Sequence, residues 1–212
     1  MSIRFAPLDQ HASPAIFRDI AEIHQAEIPN GFLASLGTPT LQKLYKQMAG
    51  CPAAFCVAAL EAERCVGFIW GSSDTSAVYR YCLPRCAGSL ALPLAARVLR
   101  PTMLFRVWET LRYPSTQSES HELPRAEILN FCVRGDQQGR GVGQRLFQAL
   151  CEGFQRRNVP SFRIVTGEEQ TTAHRFYEAA GAVKHSQIQV HKGVASRVYL
   201  YQPSTLQTVS AA

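Results

Sequence analysis

The sequence contains no run of about 18 uncharged apolar residues, and we therefore expect no membrane-spanning helix among its 212 residues. The most apolar stretch, Leu90 to Phe105, is interrupted by Arg97, Arg100 and Pro101. The first residues lack the basic and apolar segments of a secretory signal, so we expect no such signal. Hydrophobic residues make up 46% of the chain, a share typical of a globular protein and too high for a disordered one.

Cysteine motifs are also missing, although the sequence contains seven cysteines. No Cys-x-x-Cys or His-x-x-x-His pattern occurs, and Cys82 and Cys86 have no second pair to complete a zinc site. We therefore predict no metal site and interpret the cysteines as reduced core residues of a cytoplasmic protein. Cys132 has no histidine near it in the sequence to activate it, so we do not expect it to act as a nucleophile.

Lysine is scarce, since only four of the 22 basic residues are lysine and the others are arginine. The net charge of +6 suits a polyanionic partner such as nucleic acid, an anionic membrane surface or a phosphorylated cofactor, and it equally suits a solvated basic surface. No pattern of a nucleic-acid-binding fold accompanies the charge, and we expect no specific nucleic-acid partner. The segment from Arg80 to Tyr113 is strongly basic, with six arginines and one acid, Glu109.

Hydrophobic periodicity predicts a single α/β or α+β domain over residues 1–202, followed by a frayed tail over residues 203–212. Residues 71–124 form an arginine-rich insert for which we predict two helices, Leu90–Leu99 and Thr102–Leu111. The other predicted elements are a strand at 3–8, a helix from 13, a helix at 40–48, strands at 53–60, 65–70 and 126–134, a helix ending at 158, a strand at 162–166, a helix at 170–180 and strands at 183–191 and 197–201.

A glycine-rich turn, Gln138 to Gly143, lies between the predicted strand ending near Val133 and the helix that follows. Glycines let the backbone approach a ligand closely, and a helix start offers unpaired N–H groups and the positive end of its dipole. The turn therefore predicts an anion site suited to a pyrophosphate, although a purely structural strand-to-helix turn remains the alternative. The Gly-Lys-Ser/Thr of a Walker A loop is absent, and the glycine spacing does not match a dinucleotide-binding fingerprint.

Two motifs resemble the GNAT superfamily of acyl-CoA-dependent N-acyltransferases. Gln138-Gly-Arg-Gly-Val-Gly143 matches that family's Q/R-x-x-G-x-G/A motif, and residues 173–182 resemble its A-x-x-F-Y-x-x-x-G-F element. The resemblance covers about residues 126–201. The chain departs from the family pattern with Gln170 where asparagine is frequent, with Ala182 in place of an aromatic residue, and with about fifty residues between the third and fourth strands.

The resemblance implies a GNAT-like fold, in which a twisted, mixed and mostly antiparallel sheet of six or seven strands is flanked by helices. The helical insert would lie between strands 3 and 4. The implied cofactor is acetyl-CoA, with its pyrophosphate held by the glycine-rich turn and its pantetheine beside the strand that ends at Val133. The residues that the resemblance assigns to the cofactor are Phe131, Cys132, Val133, Gln138, Gly139, Arg140, Gly141, Val142, Gly143, Gln170 and Phe176.

The resemblance also suggests two catalytic residues. Tyr177 would be the general acid, since a phenol can protonate a thiolate of similar pKa, and its alternative is packing in the core. Glu127 would be the general base, and its alternatives are a surface ion pair or replacement by an ordered water or by a residue elsewhere. Strand alternation predicts that Glu127, Leu129, Phe131 and Val133 share one face.

These features predict an enzyme that transfers an acetyl group from acetyl-CoA to a primary amine by direct attack in a ternary complex. An amino sugar or other small molecule is the expected acceptor, and a peptide or protein amine is the alternative. A CoA-binding sensor without catalysis is the non-enzymatic alternative. The insert could serve as an acceptor wall, a membrane-surface contact or an added helical layer, and we expect a monomer or homodimer.

Overall fold

A computed structural model of the chain describes residues 2–29, 31, 33–95, 123–191 and 194–203. The strands are β1 (Arg4–Leu8), β2 (Ala54–Glu61), β3 (Arg64–Ser72), β4 (Glu127–Val133), β5 (Phe162–Gly167), β6 (Val183–His191) and β7 (Val194–Tyr201). The helices are α1 (Pro14–Glu27), α2 (Thr38–Ala49), α3 (Thr75–Ala95), α4 (Val142–Gln155) and α5 (Thr171–Ala179). The fold class expected from the sequence is confirmed, with α3 inserted between the third and fourth strands.

The strands form one sheet in the order β1-β2-β3-β4-β5-β7-β6. Every neighbouring pair in it is antiparallel except β4 and β5, which are parallel. The parallel ladder joins only Glu127 to Arg163 and Ile128 to Ile164. Beyond those two pairs the strands diverge, so the sheet is interrupted beside the C-terminal half of β4.

A β-bulge lies in β4 at Leu129. Trp70 of β3 pairs with Asn130, whereas the next residue, Gly71, pairs with Ile128, so Leu129 is one residue in excess. A bulge of this kind breaks the alternation of side chains between the two faces of a strand. The faces of β4 therefore change at Leu129.

Two apolar clusters cover the two faces of the sheet. The first packs α1, α2 and α3 on one face, and its largest fully buried side chains are Phe17, Ile20, Leu41, Tyr45, Phe68 and Trp70. The second packs α4 on the other face, and its largest are Ile69, Leu146, Leu150, Phe154, Phe162 and Tyr199. Burial of these large side chains on both faces supplies the hydrophobic free energy that holds the sheet between its helices.

The seven cysteines are free, and all except the half-buried Cys151 are buried. This agrees with their interpretation as reduced core residues. No described helix is both long and apolar enough to cross a membrane.

The insert begins with α3, which starts at Thr75 instead of near residue 90 as predicted. Asp74 caps the helix, since its Oδ1 accepts a hydrogen bond from the Ala77 N–H at 3.0 Å. Val78 and Cys82, one turn apart, then pack into the first cluster. The helix contacts α2 and the short 3-10 turn Ala34–Leu36, and so extends the helical layer of that face.

The remainder of the insert, from residue 96 to residue 122, lies outside the described residues. That range includes the predicted helix Thr102–Leu111 and the arginines at 97, 100 and 106. The tail from residue 204 also lies outside them.

Candidate active site

A cleft of about 660 Å³ opens where β4 and β5 diverge. Its floor is formed by the two strands, and its walls come from the end of α1, the glycine-rich turn and the start of α5. The residues expected from the sequence that line it are Phe131, Cys132, Val133, Gln138, Gly139, Gly143, Gln170, Phe176 and Tyr177. Four other expected residues, Glu127, Arg140, Gly141 and Val142, are not among the described lining residues.

The glycine-rich turn presents its backbone to open space. Gly139 and Gly141 have φ values of +73° and +78°, and a Cβ atom added at either residue would meet nothing within 4 Å. Gly141 is the N-cap of α4, and no side chain caps this helix. The first N–H groups of α4 are therefore free of side-chain partners at the positive end of the helix dipole, which fits the binding of a pyrophosphate. Val142 is buried beneath the turn and anchors it, while Arg140 is exposed.

Glu27, at the end of α1, holds the turn from the opposite wall. Its Oε1 accepts a hydrogen bond from the Gly135 N–H at 2.9 Å, and its Oε2 accepts one from Gln138 Nε2 at 2.8 Å. Gln138 Nε2 also donates to the Val133 carbonyl oxygen at 2.9 Å. The side chain of Gln138 therefore links the end of β4, the turn and α1, a link that was not predicted from the sequence.

An aromatic cluster forms the wall on the α4 side. The ring centroids of Phe131 and Phe176 are 5.4 Å apart, and those of Phe147 and Phe176 are 5.7 Å apart. Tyr177 lies beside them, 6.5 Å from Phe131. Gly143 packs against the cluster, since a Cβ atom there would lie 3.4 Å from the Phe131 ring. Because Gly143 has no side chain, the turn can approach β4 closely.

Tyr177 combines burial with access to the cleft. The residue is only 6% exposed, yet it lines the cleft, and no hydrogen bond to its hydroxyl is found within the part of the chain that the structure describes. Burial raises the pKa of its phenol well above the ordinary value. The group therefore stays protonated at neutral pH and can act as a proton donor.

The start of α5 forms the remaining wall. Gln170 is its N-cap, but the side chain does not cap the helix. Instead, its Oε1 accepts a hydrogen bond from Thr166 Oγ1 at 2.5 Å. The cleft is also lined there by Thr171, Thr172 and Ala173. The Thr171 N–H donates to the Glu169 carbonyl oxygen at 2.9 Å, so Thr172 and Ala173 offer the further N–H donors at this uncapped helix start.

Cys132 lies on the face of the first cluster, away from Phe131. Burial raises the pKa of its thiol to about 12. A thiol in this state is a poor nucleophile, which agrees with the expectation from the sequence.

The expectation that Glu127 shares a face with Phe131 and Val133 is wrong. Phe131 and Val133 pack in the second cluster, whereas Leu129 packs in the first and Glu127 bonds to Thr75 of α3 on that side. The bulge at Leu129 causes the change of face. Glu127 is only 5% exposed and forms a buried ion pair with Arg163, with 2.8 Å between Oε2 and Nη2.

The lining residues that were not identified from the sequence include Asn130, Thr166, Gly167, Glu169, Thr171 and Thr172. Asn130 follows the bulge, and Glu169 lies in the β5–α5 connection. The sequence carried a weak signal for the β5–α5 connection, since loops that follow strand ends in such sheets carry binding residues.

Acetyltransferases share the fold. Ard1 from Thermoplasma volcanium is 16% identical, with a TM-score of 0.58, and the match covers 95% of this chain and 98% of that one. An acetyltransferase from Thermus thermophilus is 14% identical, with a TM-score of 0.55 over 95% of this chain and 97% of that one. A chain of the NatC complex, crystallised with Gag peptide and CoA, is 12% identical, with a TM-score of 0.59 over 95% of this chain and 99% of that one.

No curated protein sequence matches the chain. The sequence profile of the acetyltransferase (GNAT) family, however, matches residues 17–182, which is most of the chain and includes both motifs and the cleft. The chain therefore belongs to the GNAT family of acetyltransferases.

Proposed function

We propose that the protein transfers the acetyl group of acetyl-CoA to the primary amine of a small molecule, by direct attack within a ternary complex. One observation carries this proposal: the gap between β4 and β5 runs from the open glycine-rich turn to the buried Tyr177. A site for an anion and a proton donor thus share one cleft, as transfer from a phosphorylated thioester requires.

The chain's own groups suit each part of the cofactor. The N–H groups of the turn and of the first turn of α4 would hold the pyrophosphate. Backbone groups of Phe131 and Val133, on the edge of β4 that β5 leaves uncovered, would pair with the pantetheine amides and polarise the thioester carbonyl. When bound, acetyl-CoA supplies the acetyl group as an activated thioester.

Tyr177 would donate its proton to the departing sulfur. Its raised pKa keeps the hydroxyl protonated until that step. The same loss of water that raises the pKa of a phenol also raises the pKa of a thiol, so the donor and the acceptor of the proton remain matched.

The proton of the amine needs a different acceptor. Glu27 has one donor on each carboxylate oxygen, and Glu127 is not among the described residues that line the cleft. We assign this proton to water in the cleft, with Glu169, the other carboxylate of the lining, as an alternative acceptor. Glu127 as the base is the competing hypothesis, and it makes different kinetic predictions.

The charge of the cleft supports a cationic acceptor. Among the described residues that line it, the charged side chains are Glu27 and Glu169, and both are acidic. Carboxylates in the lining of the cleft favour an ammonium group over an anionic acceptor. A peptide amine remains the second candidate, because the NatC complex, which shares this fold, was crystallised with a peptide. We also propose a cytoplasmic location, which the free, buried cysteines support.

Calorimetric titration with acetyl-CoA, followed by a screen of amines for CoA release, tests the proposal. We expect binding in the micromolar range, or about −8 kcal/mol, and turnover with small cationic amines. Faster turnover with peptides would favour the second candidate. Binding without CoA release on any amine would identify a sensor, and no binding of acetyl-CoA would overturn the proposal.

A further inference from the structure

Glu127 and Arg163 face each other across the closed end of the cleft. They are partners in the two-residue parallel ladder, and Arg163 donates from Nη2 and Nε to Glu127 Oε2 at 2.8 and 3.0 Å. Their side chains are 7% and 5% exposed. Beyond the next pair, Ile128 and Ile164, the strands separate. The ion pair therefore lies at the point from which β4 and β5 diverge.

Helix α3 is attached to the same point. Thr75 Oγ1 donates to Glu127 Oε2 at 3.1 Å, and the Thr75 N–H donates to the Arg125 carbonyl oxygen at 3.2 Å. The Arg163 N–H donates to the Ala126 carbonyl oxygen at 2.9 Å. The first residue of α3 and the starts of β4 and β5 are thus joined by one set of hydrogen bonds.

This geometry is poorly suited to a general base. Three donor groups converge on Glu127 Oε2, and the lining of the cleft on β4 begins at Ile128. Stability alone does not account for the pair either, because a buried ion pair adds little net free energy compared with apolar side chains of similar volume.

We propose that the Glu127–Arg163 ion pair, braced by Thr75, is a positioning device that sets the separation of β4 and β5 and thereby the geometry of the acetyl-CoA site. Through Thr75 it also couples α3, the described part of the insert, to that site. The proposal rests on the acetyl transfer proposed above. It assigns the pair a role in holding the donor, with no proton transfer by Glu127.

Two single variants and one double variant test this role. Glu127→Gln and Arg163→Met each remove one charge, while Glu127→Leu with Arg163→Met replaces the pair by apolar side chains. We expect each single variant to raise KM and Kd for acetyl-CoA about tenfold, with kcat at saturation within about threefold of the wild type. The double variant should recover most of the affinity, and Thr75→Val should show a smaller loss than either single variant. Glu63→Gln, in the exposed Arg4–Glu63 pair, is the matched control and should change none of these constants.

Kinetics separate positioning from the other roles. A general base would give the opposite pattern: kcat would fall by about 100-fold or more in Glu127→Gln, with KM unchanged and the acid limb of the pH profile lost. The apolar double variant would then recover no activity. Partial unfolding would lower the concentration of active enzyme and thus the apparent kcat, without raising KM, and thermal melts followed by circular dichroism would reveal it.

Two outcomes would overturn the proposal. One is the kinetic pattern of a general base, and the other is folded single variants that keep the wild-type KM and Kd. Failure of the wild-type protein to bind acetyl-CoA is a separate result, which would reject the proposed function itself. Variants are therefore compared only after the wild type has been titrated.

Discussion

The helices on the two faces of the sheet begin in different ways. On the first face, Ser13 Oγ accepts a hydrogen bond from the Ala15 N–H at 3.3 Å, and Asp74 Oδ1 accepts one from the Ala77 N–H at 3.0 Å. Side chains thus cap α1 and α3. The third helix of this face, α2, begins without a side-chain cap but has a proline, which lacks the N–H donor, in its first turn.

On the second face, α4 and α5 follow Gly141 and Gln170, and neither helix has a side-chain cap. Both helices begin at the cleft. The first face therefore satisfies or removes donors at its helix starts, whereas the second leaves donors available for a ligand. The difference indicates that the first face is built mainly for stability and the second for binding.

Placing a negative charge at the start of α4 should give the largest effect. Gly141 has a positive φ and an open Cβ position, so Gly141→Glu would put a carboxylate where we propose the pyrophosphate. We expect the affinity for acetyl-CoA to fall at least about 100-fold, or about 2.7 kcal/mol, as measured by calorimetry.

Gly181→Glu is the matched control for that variant. Gly181 has a φ of +92° and an equally open Cβ position, but it is not among the described residues that line the cleft. The control shares the backbone strain, about 1 kcal/mol, without the charge at the turn, and should bind normally. Normal binding by Gly141→Glu as well would contradict the assignment of the turn to the pyrophosphate.

Removing the Tyr177 hydroxyl should affect turnover and leave binding intact. We expect Tyr177→Phe to lower kcat about 100-fold, with Kd for acetyl-CoA within about twofold of the wild type. Because burial raises the pKa of Tyr177, ionisation of this group should cause no loss of wild-type activity as the pH rises to about 10. Tyr201→Phe, outside the cleft, is the control, and equal kcat values for the two variants would remove Tyr177 as the acid.

A change of pH should affect the stability of the first face. His24 is buried, with Nδ1 2.5 Å from the Tyr45 hydroxyl, and burial lowers its pKa to about 4. The unfolded chain, with an ordinary histidine pKa of about 6.5, takes up a proton first as the pH falls. The stability that the neutral, buried His24 contributes is therefore complete above pH 6.5 and is lost between that pH and about 4.

Denaturant unfolding at two pH values measures this loss. Between pH 7.5 and pH 5 we expect the free energy of unfolding to fall by about 2 kcal/mol. His24→Gln, which cannot take up the proton, should show a smaller fall. An equal fall in the variant would assign the pH dependence to other groups.

Weakening the contact between the two faces of the sheet should give the smallest effect. Glu27 belongs to α1 of the first face but holds the turn of the second. In Glu27→Gln the charge that strengthens both hydrogen bonds is lost, so we expect the affinity for acetyl-CoA to fall about three- to fivefold with little change in kcat. Glu22→Gln, an exposed change on the same helix, is the control. Unchanged affinity in Glu27→Gln would mean that the two faces act independently.

Local signals explain what the sequence predicted correctly. Ser13 and Pro14 mark the start of α1, and the glycines from Gly139 onward mark the turn before α4, since each signal depends on neighbours in the chain. Most strand bounds agree with the structure within one or two residues for the same reason, although β7 starts three residues earlier than predicted. The cap residue Asp74 is also present in the sequence, but the first helix of the insert was predicted at Leu90 and not directly after this residue.

Contacts between distant residues explain the rest. The face of Glu127 depends on a bulge whose only signal is the register against β3, 57 residues earlier at Trp70. Its partner Arg163 lies 36 residues later in the chain, and Glu27 contacts Gln138 across 111 residues. Alternation and spacing carry no information about such pairings, so the roles of these side chains required the fold.

The burial of the cysteines has a practical consequence for the enzyme assay. Burial raises the pKa of six of the seven thiols, namely Cys56, Cys65, Cys82, Cys86, Cys132 and Cys151. Thiol reagents attack thiolates, so the folded protein should react slowly with a chromogenic disulfide, whereas free CoA should react at once. The colour would therefore count turnovers against a low background. A sudden rise in colour without added amine would report unfolding, because the unfolded chain exposes all seven thiols.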